Sequence, residues 1–102
     1  MRVSRVAVLI REPSDAWEGL RSALGLMVEN LVADCYFIGA PVKLPAGKTS
    51  GDFQDSLELL ADLDGQCFTD NPADAERYQF LTHASLERMA ARLPGYGLVI
   101  PF

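Results

Sequence analysis

The chain has 102 residues, 49% of them hydrophobic and 23% charged, with a formal net charge of −5. That is about one domain of ordinary globular composition, and it excludes disordered, collagen-like and coiled-coil chains, each of which needs a strong compositional bias. Residues 52–102 carry nine acidic and three basic side chains, and the stretch from Thr49 to Glu76 has eight acids and no base, a field that repels phosphate backbones and argues against direct nucleic-acid binding.

Met1-Arg2-Val3-Ser4-Arg5 places basic residues before the apolar run Val6-Ala7-Val8-Leu9-Ile10. The run is too short to cross a bilayer, and no small-residue cleavage site follows, so neither a membrane span nor a signal peptide is expected. It reads as a first strand covered on both faces. Arg11-Glu12-Pro13-Ser14-Asp15 is a turn, and Asp15 with Glu18 has the spacing of a capping pair. Trp17, Leu20, Leu24, Met27 and Leu31 recur at helical intervals, with Ala16, Ala23 and Leu26 widening the apolar arc. Gly19 and Gly25 each cost about 1 kcal/mol relative to alanine in a helix interior; close packing against a sheet or a second subunit explains them, and so equally does simple tolerance. This wide arc predicts an oligomer.

Cys35-Tyr36-Phe37-Ile38 reads as the second strand, ended by Gly39-Ala40-Pro41. A loop follows with Pro45, Gly47, Gly51 and the only lysines, Lys43 and Lys48; loops of such length are often functional or mobile. Phe53, Leu57, Leu60 and Leu63 mark the second helix, whose acids Asp52, Asp55, Glu58 and Asp62 form a solvated face. Gln66-Cys67-Phe68-Thr69 is a short third strand. Asn71-Pro72 starts a helix reaching about Phe80, a further helix runs from Thr82 to Leu93, and Gly97-Leu98-Val99-Ile100 is the last strand.

Strands alternating with helices predict an α/β fold: a mainly parallel sheet of four to five strands, right-handed crossovers, and helices on both faces, making three layers, α/β/α. Ligands of such sheets bind outside the carboxyl ends of the strands. That rule makes Arg11, Glu12 and Asp15 after the first strand, Lys43 after the second, and Asp70 and Asn71 after the third the candidate ligand- or partner-binding residues.

No glycine-rich phosphate loop follows the first strand, and no Cys/His cluster has metal-ligand spacing. Neither a metal nor a cofactor is implied. Asp70 stands where a phospho-acceptor would in a receiver-like domain, but Arg11-Glu12 and Pro101-Phe102 do not supply the acids and lysine that chemistry requires. His83, the only histidine, lies near a predicted helix start, in a surface or capping role. Cys35 and Cys67 are too few for a disulfide scaffold, and without an export signal the chain reads as reduced and cytoplasmic. Each cysteine is first a small buried hydrophobe. Cys67, four residues before the N-cap Asn71, is the candidate reactive thiol.

The run Gly19-Leu20-Arg21-Ser22-Ala23-Leu24-Gly25-Leu26 and the segment Asp34-Cys35-Tyr36-Phe37-Ile38-Gly39-Ala40-Pro41-Val42 resemble the first helix and second strand of DsrE/DsrF-like proteins. Asp62-Leu63-Asp64-Gly65-Gln66-Cys67-Phe68 and Leu98-Val99-Ile100-Pro101-Phe102 are also similar to that family, above all to its DsrF/TusC-type members. The resemblance spans nearly all of residues 1–102 and implies a single three-layer DsrE/DsrF-like domain. It also implies homo- or hetero-oligomers with related subunits, and association with sulfur relay to tRNA or to sulfur-oxidation enzymes. In DsrE-type members a cysteine just after the third strand carries the persulfide; here that position falls at or near Asp70. Cys67 lies earlier, where DsrF/TusC-type members can also have a cysteine.

Three functions follow as expectations. The first is an accessory or structural subunit of a sulfur relay. The second is a persulfide carrier with Cys67 as its catalytic residue, exchanging sulfur with donor and acceptor proteins. The third is a non-covalent module that binds a small ligand or a partner at the strand ends. The anion Asp70 beside the cap opposes thiolate formation, and strand alternation turns Cys67 away from the face of Asp70. Both favour the accessory subunit, with Cys67 mostly buried.

Overall fold

The computed structural model describes residues 5–39 and 41–102, so expectations placed on Met1 to Ser4 and on Ala40 lie outside the described residues. The elements are β1 (Arg5–Ile10), α1 (Ala16–Val28), β2 (Val32–Phe37), α2 (Ser50–Asp62), β3 (Cys67–Thr69), α3 (Pro72–Arg77), β4 (Leu81–His83), α4 (Leu86–Arg92) and β5 (Leu98–Pro101). Single 3-10 turns precede α1 (Pro13–Asp15) and follow α4 (Leu93–Gly95).

All five strands are parallel, in the order β4-β3-β2-β1-β5. The chain steps outward from β1 to β4, and α4 then carries it back to β5 on the far side of β1. Right-handed crossovers therefore place α1, α2 and α3 on one face and α4 on the other. Strand alternation divides the apolar side chains to match. Val8, Ile10, Cys35, Phe37, Cys67 and Leu81 pack with Trp17, Leu20, Phe53, Leu57, Leu60 and Tyr78. On the opposite face Ala7, Tyr36 and Phe68 meet Met89, Leu93 and Tyr96. The α/β/α architecture expected from the sequence is the architecture found.

Local departures have local causes. β4 occupies Leu81–His83, where the sequence suggested the start of a helix; Ser85 instead caps α4, its hydroxyl accepting from the Arg88 amide at 3.2 Å. The preceding helix stops at Arg77 rather than near Phe80, and Phe80 takes a left-handed φ of 64° that turns the chain into β4. α1 ends at Val28 because Asn30 turns the chain with φ 64°, a conformation asparagine tolerates. Asp15 makes no side-chain cap bond, since the 3-10 turn already leads the backbone into α1. α2 starts earlier than its apolar spacing suggested, through a capping box in which Thr49 accepts from the Asp52 amide and Asp52 from the Thr49 amide. A Cβ on Gly19 would lie 2.5 Å from Cγ1 of Ile10, so that glycine answers to close sheet packing; Gly25 has nothing within 4 Å.

Candidate functional site

The loops over the carboxyl ends of the strands are joined by the chain's own polar groups. Asp70 accepts from the Gly39 amide at 3.1 Å, and Asn71 caps α3 by accepting from the Asp74 amide at 2.8 Å. Asp74 in turn accepts from the Val42 amide at 3.0 Å, while the Lys43 amide donates to the Pro13 carbonyl at 3.1 Å. Arg11, Glu12 and Lys43 are exposed and Asp15 is half-buried. Asp70 and Asn71 each thus put one side-chain oxygen into loop closure and helix capping. The loop after β2 is anchored as well, with Leu44 against the core and the Lys48 ammonium 5.1 Å from the centre of the Trp17 ring.

Cys67 opens β3 directly beside Cys35 of β2; the two are register partners, and the Cys35 amide donates to the Gln66 carbonyl at 2.9 Å. Both thiols are free and buried, Cys67 to 3% exposure. The Cys35 thiol is held well above its ordinary range, first by its hydrogen bond with Cys67 and then by burial. Cys67 also borders a cleft of about 370 Å³ formed by Ala61, Asp64, Gly65, Gln66, Phe68, Phe80 and Thr82. The cleft sits at the amino ends of β3 and β4, away from the carboxyl edge. None of Arg11, Glu12, Asp15, Lys43, Asp70 or Asn71 lines it. His83 is exposed in β4 rather than at a helix start.

A polar network absent from the sequence reading lies beneath α4. Asp34 is fully buried in β2. Its carboxylate receives Nε and a terminal guanidinium nitrogen of Arg5 at 3.0 Å each, the Gln66 amide at 2.8 Å, and the Tyr96 hydroxyl at 2.5 Å. A hydroxyl donates once, so Tyr36 donates to Tyr96 across their 2.5 Å contact, and Arg92 Nε donates to Tyr36 at 2.9 Å. Arg92 also donates to the Gln66 side chain at 3.0 Å and lies 4.6 Å from the centre of the Phe68 ring. Partial burial, then the bond to Asp34, raises the Tyr96 hydroxyl above its ordinary value. The legible signal was an aspartate inside an apolar run, which requires a cation, and Arg5 at the start of the first strand supplies it.

A second cleft, about 380 Å³ and mainly apolar, runs between α1 and α2, lined by Arg21, Leu24, Gly25, Val28, Leu59 and Leu63. Val28 is 83% exposed there. Among the described residues no helix is long and apolar enough to cross a membrane, and no group of three or more His, Cys, Asp or Glu residues is placed to hold a metal. Comparison with models of known protein families finds no match to this chain, and comparison with curated proteins finds none either.

Proposed function

We propose that the chain is a DsrE/DsrF-like accessory or structural subunit of a cytoplasmic sulfur relay, assembling with related subunits while leaving persulfide carriage to them. One observation carries this reading: the only thiol near the third strand–helix turn lies inside the sheet, and the turn itself holds a carboxylate. Cys67 precedes Pro72, the first residue of α3, by about 16 Å of extended chain, and the field of a helix terminus fades within one turn. At the turn, Asp70 adds an anion that accepts from the Gly39 amide, and the Asp74 amide of α3 is already taken by the Asn71 side chain. The three-layer fold agrees with the resemblance of Gly19–Leu26, Asp34–Val42, Asp62–Phe68 and Leu98–Phe102 to that family. The exposed apolar groove of Leu24, Val28, Leu59 and Leu63 suits the docking of a related subunit.

The experiment is incubation with a cysteine desulfurase and cysteine, followed by intact-mass measurement. The expected result is no stable, stoichiometric gain of a sulfur atom, about 32 Da. A rapid gain that vanishes in Cys67→Ser and survives in Cys35→Ser contradicts the proposal. It favours the second reading, Cys67 as carrier, which is supported by that residue's place on the wall of the cleft.

A further inference from the structure

We propose that Cys35 and Cys67 form an oxidation site, a dithiol that a small peroxide converts to an intrachain disulfide joining β2 to β3. The inference does not depend on sulfur relay. The two residues are register partners on neighbouring parallel strands. Adjacent strands lie about 4.8 Å apart, inside the roughly 4.4–6.8 Å Cα window that a disulfide accepts. Both side chains point into the same core, between the sheet and the layer of α1 and α2. The Cys35 amide bond to the Gln66 carbonyl, 2.9 Å long, fixes the register. No strand has to slide for the sulfurs to join.

Access is unequal. Cys67 stands on the wall of the cleft beside Gln66, Phe80 and Thr82, whereas Cys35 lies behind it with no exposed surface. A peroxide, little larger than water, reaches Cys67 first. The Cys67 thiol is oxidised to sulfenic acid as the peroxide O–O bond breaks, releasing one water. The Cys35 sulfur then attacks the sulfenic sulfur, forming the S–S bond and expelling the hydroxyl as a second water with the Cys35 proton. The sum is two thiols and one peroxide giving one disulfide and two waters, and a dithiol reductant reverses it. The hydrogen bond to Cys67 and the burial that keep Cys35 protonated leave it the slower thiol toward peroxide, so Cys67 is oxidised first and Cys35 resolves it.

The test is treatment of the reduced, folded protein with hydrogen peroxide, then alkylation in denaturant and intact-mass measurement. The expected product is a monomer about 2 Da lighter that takes no alkyl label, regains both labels after dithiothreitol, and yields a Cys35–Cys67 linked peptide. In Cys35→Ser, dimedone is expected to trap the sulfenic acid at Cys67. An unchanged mass overturns the proposal. So does oxygen addition without the lighter species, a disulfide between chains, or a linkage that appears only above the urea unfolding midpoint. These outcomes are all read on the unaltered protein, so they decide the matter even if a variant fails to fold.

Discussion

Arg5, the first residue of β1, holds the carboxylate of Asp34, fully buried in β2, with two hydrogen bonds of 3.0 Å each. The pair ties together the central strands of the sheet at their amino ends, and Tyr96, just before β5, adds the third element through its 2.5 Å bond to the same carboxylate. A buried charge that loses its cation retains its desolvation cost, so truncating one partner is expensive even where the intact pair adds little.

Arg5→Met is therefore expected to lower stability by about 3 kcal/mol, the low end for a broken buried pair because Gln66 and Tyr96 still donate to Asp34. Arg5→Lys keeps the charge but not the two-pronged geometry, and should fall between. Urea unfolding with an unchanged slope is the measurement. A loss below about 1 kcal/mol in Arg5→Met would mean that solvent screens the pair as it does a surface one.

The two glycines of α1 should respond in opposite directions. Gly19→Ala places a Cβ 2.5–2.6 Å from Cγ1 and Cδ1 of Ile10, and overpacking of this kind costs about 1–3 kcal/mol. Gly25→Ala meets nothing within 4 Å and should gain about 0.5–1 kcal/mol from helix propensity. Thermal midpoints moving the same way in both variants would refute the assignment.

Alkaline pH should destabilise the fold. Tyr96 and Cys35 both hold their protons more tightly folded than unfolded, Tyr96 chiefly through burial and Cys35 chiefly through Cys67. Below the unfolded values of about 9 to 10 both states bind those protons equally, and stability does not change on their account. Above them the unfolded chain binds fewer protons than the native one, the slope of stability against pH is negative, and stability is lost as pH rises. Tyr96→Phe should flatten that slope. A titration monitored by urea melts between pH 8 and 11 checks it, and an identical slope in the variant would contradict it.

Asn71→Ala should cost about 1 kcal/mol, the loss of a helix N-cap, since Asn71 accepts from the Asp74 amide. An unchanged urea midpoint would show that this cap adds nothing to the stability of the fold.

The sequence exposed the fold wherever apolar periodicity was long enough to have one reading. Val6 to Ile10 lie in β1, which Arg5 opens, and Trp17, Leu20 and Ala23 are the buried stripe of α1. β4 was hidden because only Leu81 of its three residues points inward, and one apolar residue defines no period. Asp34 concealed the first half of β2, since aspartate is rare in strands and the partners that reconcile it with burial, Arg5 and Tyr96, lie 29 and 62 positions away. The burial expected of Cys67 is found, as strand alternation implied. Its pairing with Cys35 was not legible, because spacing along the chain carries no strand register.

The enclosure of Cys67 is the central claim, and it is measured most directly by the rate at which the folded, reduced protein reacts with a bulky aromatic disulfide at neutral pH. Cys67 is 3% exposed and Cys35 fully buried, so both thiols should react at least about a hundredfold more slowly than in the urea-unfolded chain, limited by opening of the structure. One thiol reacting at the unfolded rate, and lost in Cys67→Ser, would contradict the account and make Cys67 an open nucleophile.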